Sequence, residues 1–294
     1  MKWIIGVDLR ETAAGALNFG TWLAANHIES ERPSFVPVHV LEESYLLQVL
    51  RHQHIDAVED LARRAATDQL DKAQLGGVAG PARIVRGVVA DEALVREFDA
   101  EHGDALIIGR QAPSNERNLV RLGRVARRIV RRLPCPTIVV PPDLRADQIG
   151  KGPIMLATDL EETAGSAARF AKRLAHVTGR PLVVAHVVPA DTDMARYLPD
   201  ATVDQFLSQS GLDRERDLKG WMANHGLESA AAVVSHGDVI ARLSSIAEVE
   251  GAPIIVCGSR GMGTIERMFI TSVGTDLSCW ARAAVAMVPP TWGA

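Results

Sequence analysis

The chain has 294 residues, of which 47% are hydrophobic and 23% charged, and a formal net charge of -4. That length suggests two ordinary domains, and the composition suits a soluble globular chain with a substantial core rather than a disordered one. The mild negative charge gives no general case for nucleic-acid or anionic-membrane partners, which usually require a strongly basic surface.

The chain opens Met1-Lys2-Trp3 and reaches Asp8 too early for a signal-peptide core. No apolar run approaches the roughly 18 residues of a membrane span, so the expected location is cytoplasmic with no membrane partner. Cys135, Cys257 and Cys279 lack the count and spacing of a disulfide scaffold or a zinc site and are read as reduced core residues.

In chain order, Trp3 to Val7 reads as a strand, and after Asp8 the positions Ala13, Ala16, Leu17, Gly20, Leu23 and Ala24 follow helical spacing. A second strand is read at Phe35 to Val40, then a long helical region from Glu43 to Leu75. A third strand precedes Gly87, a helix follows, and a fourth strand covers Ala105 to Ile108. The fifth, Thr137 to Val140, stops at Pro141-Pro142.

The series then repeats, shifted by about 150 positions. Asp8-Leu9 returns as Asp159-Leu160, Val38-His39-Val40 as Ala185-His186-Val187, Gly87 as Gly237, and Ile107-Ile108-Gly109 as Val256-Cys257-Gly258. The second copy also ends on an apolar run and a double proline, Pro289-Pro290. A boundary near Gly150, in a stretch rich in turn residues, gives domains 1–148 and 149–294. Nearly continuous apolar strands alternating with helices predict two Rossmann-like, doubly wound parallel-sheet domains in tandem.

In such a sheet the ligand site lies beyond the carboxyl ends of the strands, where strand order reverses. Three segments of each copy meet there: the loop carrying Asp8 or Asp159, the strand end at His39-Val40 or His186-Val187, and the loop after strand four. In the second copy that last loop reads Gly258-Ser259-Arg260-Gly261-Met262-Gly263-Thr264, followed by Thr271-Ser272-Val273 opening the final helix. Glycines admit an anion close to the backbone, and a helix start with a hydroxyl favours negative charge.

These segments together resemble the ATP-binding universal stress proteins, and the resemblance covers nearly the whole chain twice. It implies an adenine nucleotide alpha hydrolase-like fold and a regulatory or protective stress-response protein that binds ATP, with Mg2+ where the metal accompanies it. On that resemblance Asp159 faces the ribose and adenine, Val187 contacts adenine, Gly258 and Gly261 border the phosphates and Ser272 binds them. The same site takes in Ala157, Arg260, Gly263 and Val273, with Asp8, Val40, Gly109 and Gly123 as first-copy counterparts. It also implies that the two copies join as an intramolecular pseudo-dimer through strands near their double prolines, and it leaves a homodimer and an unidentified protein partner open.

Both copies depart from the family pattern on the phosphate side. Thr271 stands at the third glycine of the second copy, while in the first Ala112 replaces the second glycine and Arg124 stands where serine is expected. The second copy is therefore the better nucleotide site, and a scaffold acting through protein contacts without nucleotide is the alternative. No arrangement of a dedicated enzyme is apparent, so the expected activity is at most a weak ATP hydrolysis. An adenylate-forming or ATP-hydrolysing enzyme would need a defined acceptor or a metal site.

Other readings concern single residues. Asp8 and Asp159 also suit a cap of the following loop or helix, and His39 and His186 suit satisfied core residues. Arg121, Arg124, Arg127, Arg128, Arg131 and Arg132 read as a solvated or inter-domain salt-bridge face, with Arg124 placed to meet an anion. Trp22, Trp221 and Trp280 are expected to pack from helices, and Trp292 to contact the other copy.

Overall fold

The computed structural model describes residues 1–10, 14–111, 122–189, 200–259 and 273–293. The first half runs β1 (Lys2–Gly6), α1 (Ala14–Ala25), β2 (Ser34–Glu42), α2 (Glu43–Val49), α3 (Ile55–Lys72), β3 (Arg83–Gly87), α4 (Ala90–Ala100), β4 (Ala105–Gly109), α5 (Gly123–Arg132) and β5 (Thr137–Val140). The second half follows with β6 (Ile154–Ala157), α6 (Gly165–Thr178), β7 (Leu182–Val188), α7 (Asp200–Asn224), β8 (Ala231–His236), α8 (Val239–Glu250), β9 (Ile254–Gly258), α9 (Val273–Trp280) and β10 (Ala284–Val288).

These strands form one ten-stranded sheet in the order β3-β2-β1-β4-β5-β10-β9-β6-β7-β8. Neighbours within each half are parallel. The halves meet where β5 and β10 pair antiparallel, with Val139 opposite Val285 and Ile138 opposite Ala286. That pairing places each strand's otherwise open edge inside the sheet. The outer edge β3 carries Arg83, whose guanidinium reaches Glu97 at 3.3 Å and Glu101 at 2.5 Å, so a charged pair guards it.

Alternation along the strands sorts side chains into two layers, one on each face of the sheet. Trp3 and Ile5 lie in the layer that holds Leu17 and Phe19 of α1, and Ile4 lies in the layer that holds Leu94 of α4 and Ile129 of α5. In the second half Leu156 faces the α6 and α7 layer, with Phe170 and Trp221, whereas Met155 faces the α8 and α9 layer, with Leu243 and Leu277. Fully burying one such side chain contributes about 1.5–3 kcal/mol, which is why the apolar runs become the central strands.

The region from Glu43 to Leu75 is not one helix: α2 ends at Val49 and α3 begins at Ile55. Arg51, His52, Gln53 and His54 between them are all exposed, so no apolar residue holds that stretch against the sheet, and the extended His54 restarts the helix. Trp22 and Trp221 are buried as expected, whereas Trp280 is 56% exposed at the end of α9. Trp292 packs edge-on against Phe170 at 5.2 Å, so it covers its own half rather than the other. Burial pushes the Cys135 and Cys257 thiols up to about 12, and Cys279 is partly buried. No helix of the described residues is long and apolar enough to cross a membrane.

Candidate functional site

Strand order reverses beside β1 in the first half and beside β6 in the second, opening a crevice at the carboxyl ends of the strands. Both crevices begin the same way. Asp8 Oδ1 accepts a hydrogen bond from the Arg10 backbone N-H, and Asp159 Oδ1 from that of Glu161, each at 3.2 Å. Each aspartate therefore turns its own loop two residues on. His39 Nδ1 meets the Val7 carbonyl and His186 Nδ1 the Thr158 carbonyl, both at 2.9 Å. A carbonyl only accepts, so Nδ1 carries the proton in both rings, which tie the first two strand ends together.

Beyond these shared contacts the halves differ, first in charge. Arg10 grips Asp8 through Nε at 2.8 Å and a terminal nitrogen at 2.5 Å, whereas the equivalent second-half position is Glu161. Hydrogen bonding to Asp8 and its charge raise the Arg10 pKa further. At the other side of the first crevice, Arg124 bonds Glu42, a carboxylate that also accepts from the Ala90 N-H at 2.9 Å. Burial alone pushes Glu42 up, but Arg124 and the Ala90 N-H outweigh it and hold the carboxyl below the usual range.

Arg128 continues this row to Asp91 at 3.3 Å and Arg132 to Glu92 at 3.5 Å. Spacing of four residues puts the three arginines on one face of α5, turned toward β2 and α4. The salt bridges of Arg124, Arg128 and Arg132 thus stay within the first half, and Arg124 meets a carboxylate of the chain itself. Arg121 lies outside the described residues.

Glu42 gives a pH test. Because its folded pKa is depressed, its stabilising contribution is present above the ordinary carboxylate value, about 4.3, and is lost as pH falls through the lower folded value. Glu42→Gln is expected to cost about 1–2 kcal/mol at pH 7, discounted because Arg124 is half-exposed, and the deficit to shrink as pH falls below the ordinary carboxylate value. Urea unfolding of both proteins at pH 7 and pH 3.5 checks this; an equal deficit at both pH values contradicts it.

The first crevice is a cavity of about 520 Å³ whose walls include Gly6, Val38, Val40, Leu46, Ile108 and Gly109. Val40 is half-buried there, and a Cβ on Gly109 would meet nothing within 4 Å. Gly123, φ 71°, opens α5 in a left-handed conformation. Of the sequence candidates, Asp8, Val40 and Gly109 line this crevice and Gly123 directly precedes its Arg124, while Arg10 and Glu42, which also line it, were not among them. The exchange of Glu161 for Arg10 was a readable signal, whereas Glu42 becomes informative only once it faces Arg124.

In the second half Ala157 is buried at the end of β6, beside Ala185 of β7 and Cys257 of β9. Thr158 Oγ1 accepts from the Leu160 N-H at 3.0 Å, and Leu160 is left-handed at φ 68°. For a branched residue that conformation costs on the order of 1–3 kcal/mol and is held by the Thr158 and Asp159 bonds. Asp159 is exposed, Val187 is buried at the end of β7, and Gly258 ends β9, where a Cβ would stand 3.4 Å from Ala164 Cα. Val273 opens α9 at 38% exposure. Arg260, Gly261, Gly263 and Ser272 lie outside the described residues, as do Ala112 and Thr271.

Beside these crevices lies a cross-link between the halves. Arg110, immediately after β4, is 3% exposed and donates from one nitrogen to the carbonyls of Ser278, Cys279 and Ala281 at 3.0, 2.9 and 3.0 Å. It satisfies the carboxyl end of α9, the helix that Thr271-Ser272-Val273 precedes or opens.

The arrangement defines a tandem, doubly wound α/β protein with a strand-end crevice in each half. The universal stress protein family matches the chain twice, over residues 1–141 and 152–289, and the chain belongs to that family. A functionally unknown protein from Pseudomonas aeruginosa PAO1 superposes with TM-score 0.63 at 14% identity, covering 98% of this chain and 92% of that one. A universal stress protein from Archaeoglobus fulgidus DSM 4304 gives TM-score 0.61 at 15% identity, covering 98% of each chain. A universal stress protein from Archaeoglobus fulgidus in complex with dAMP is similar over 47% of this chain and 97% of its own, with TM-score 0.31 at 18% identity. No curated protein matches the chain in sequence.

Proposed function

We propose that this universal stress protein is a cytoplasmic regulatory or protective stress-response protein that binds one adenine nucleotide, ATP with Mg2+, in its second half. Occupancy acts as the signal read by a protein partner, and any ATP hydrolysis is slow. The observation that carries this reading is the convergence of Asp159, Val187 and Gly258 at the carboxyl ends of three neighbouring parallel strands. Membership of the family supports it. Asp159 supplies a carboxylate for ribose hydroxyls, Val187 an apolar contact for adenine, and the glycine loop after Gly258 an approach for phosphate. Arg260, Gly261, Gly263, Ser272 and Val273 belong to that phosphate side.

The first half supports a different assignment, because Arg124 is already neutralised by Glu42. That pair favours the scaffold reading for Asp8, Val40, Gly109 and Gly123, as far as triphosphates are concerned. Calorimetric titration of ATP and Mg2+ tests the proposal. One site per chain is expected. Asp159→Ala should weaken it by about tenfold or more, the worth of one charge-assisted hydrogen bond, and Asp8→Ala should leave it unchanged. No heat of binding to the wild-type chain contradicts the nucleotide reading and leaves the scaffold.

A further inference from the structure

The first crevice has ligand dimensions, and the charged side chains that line it among the described residues pair with one another. Its volume, about 520 Å³, falls in the range of small-molecule pockets. Its walls are chiefly aliphatic, and at the mouth α2 leaves Tyr45 64% and Val49 41% exposed. A flat apolar molecule would cover the Tyr45 ring and those walls at once.

Among the described residues, the charged groups of the crevice are matched by the chain itself. Arg10 is engaged with Asp8, and Arg124 with Glu42. Glu42 is only 5% exposed and accepts from the Ala90 N-H as well, so it is built into the wall rather than swinging in solvent. A phosphate seeking Arg124 would have to strip it from Glu42 and leave that carboxylate buried and unpaired, which is strongly unfavourable. It would then sit beside two carboxylates, Asp8 and Glu42.

Glu42 and Arg124 are also a matched departure from the second copy. The corresponding positions there are Pro189 and Ser272. An isolated arginine at the start of α5 would attract anions, whereas an arginine introduced together with a facing carboxylate removes that attraction.

We propose that the first-half crevice binds an uncharged aromatic molecule of nucleoside size and discriminates against its phosphorylated forms, with Glu42 as the excluding group. The aromatic face packs on the aliphatic walls under Tyr45, and its polar edge hydrogen-bonds at the Asp8 end, where the carboxylate remains partly exposed. This inference stands apart from nucleotide binding in the second half.

Hydrogen-exchange mass spectrometry on the full chain tests it, since peptides from β2 and α2 report on the first crevice and peptides from β7 on the second. Millimolar adenosine is expected to slow exchange across residues 38–50 by about threefold or more, and millimolar ATP to leave that segment unchanged. Glu42→Gln should extend the protection to AMP. No slowing by adenosine, or equal slowing by ATP in the wild-type chain, overturns the proposal. A Glu42→Gln protein that binds adenosine and still ignores AMP overturns the role of Glu42. Protection of residues 182–188 by ATP is read separately, so failure of one site is distinguishable from failure of the other.

Discussion

Replacing Arg110 by alanine is expected to destabilise the chain by about 2–4 kcal/mol and to lower Tm by roughly 3–6 °C. Arg110 is buried and its guanidinium serves three carbonyls of the other half. Those carbonyls end α9, where no helical N-H remains to pair them, and the helix dipole there favours a cation. Alanine would orphan them in a site from which water is largely excluded, and would leave a void. Lysine should recover only part of the loss, because a single ammonium lacks the planar fork. Guanidinium unfolding followed by circular dichroism is the check, and a change within about 0.5 kcal/mol would show that the cross-link is dispensable.

Gly15→Ala should be comparably damaging, about 3 kcal/mol or more, against the general rule that alanine strengthens a helix. A Cβ at Gly15 would fall 1.8 Å from the Pro141 carbonyl oxygen and 3.1 Å from Pro142 Cα. Those are backbone atoms, and the Gly15 N-H itself bonds the Pro142 carbonyl at 3.2 Å. The first turn of α1 therefore lies directly on the double proline that ends the first half, and it must move away to admit one methyl group. Gly220 in α7 is the control, since a Cβ there meets nothing within 4 Å. Gly220→Ala is expected to stabilise by about 0.5–1 kcal/mol. Thermal unfolding of the two variants should show opposite signs; the same sign in both would remove the steric account.

The sequence made the architecture legible because its signals were redundant. The Asp8 and Asp159 loops, the His39 and His186 strands and the two double prolines each occur twice, and the apolar runs between them leave few topologies open. Resolution failed where a residue's role depends on what it faces. The exposed Arg51 to His54 stretch broke a helix that periodicity alone continued. Trp292 found Phe170 in its own half, and Trp280 stayed exposed, because side-chain partners at a chain end or helix end are not encoded in spacing.

The crevices show the same limit. Arg124 was visible in the sequence as a departure at a serine position, but its meaning came from Glu42, distant in sequence and adjacent in space. Arg110 follows Gly109 in sequence with nothing to mark it out, and the β5 and β10 pairing brings the halves together where it meets the carboxyl end of α9.

The central claim is that the two halves share a fold but not a ligand, with one adenine nucleotide held by the second. The most direct measurement is to denature protein purified without added nucleotide and count the released adenine nucleotide per chain, before and after incubation with ATP and Mg2+. Close to one per chain after loading is the expected result. Close to two would contradict the charge-closed first crevice, and none would contradict nucleotide binding altogether.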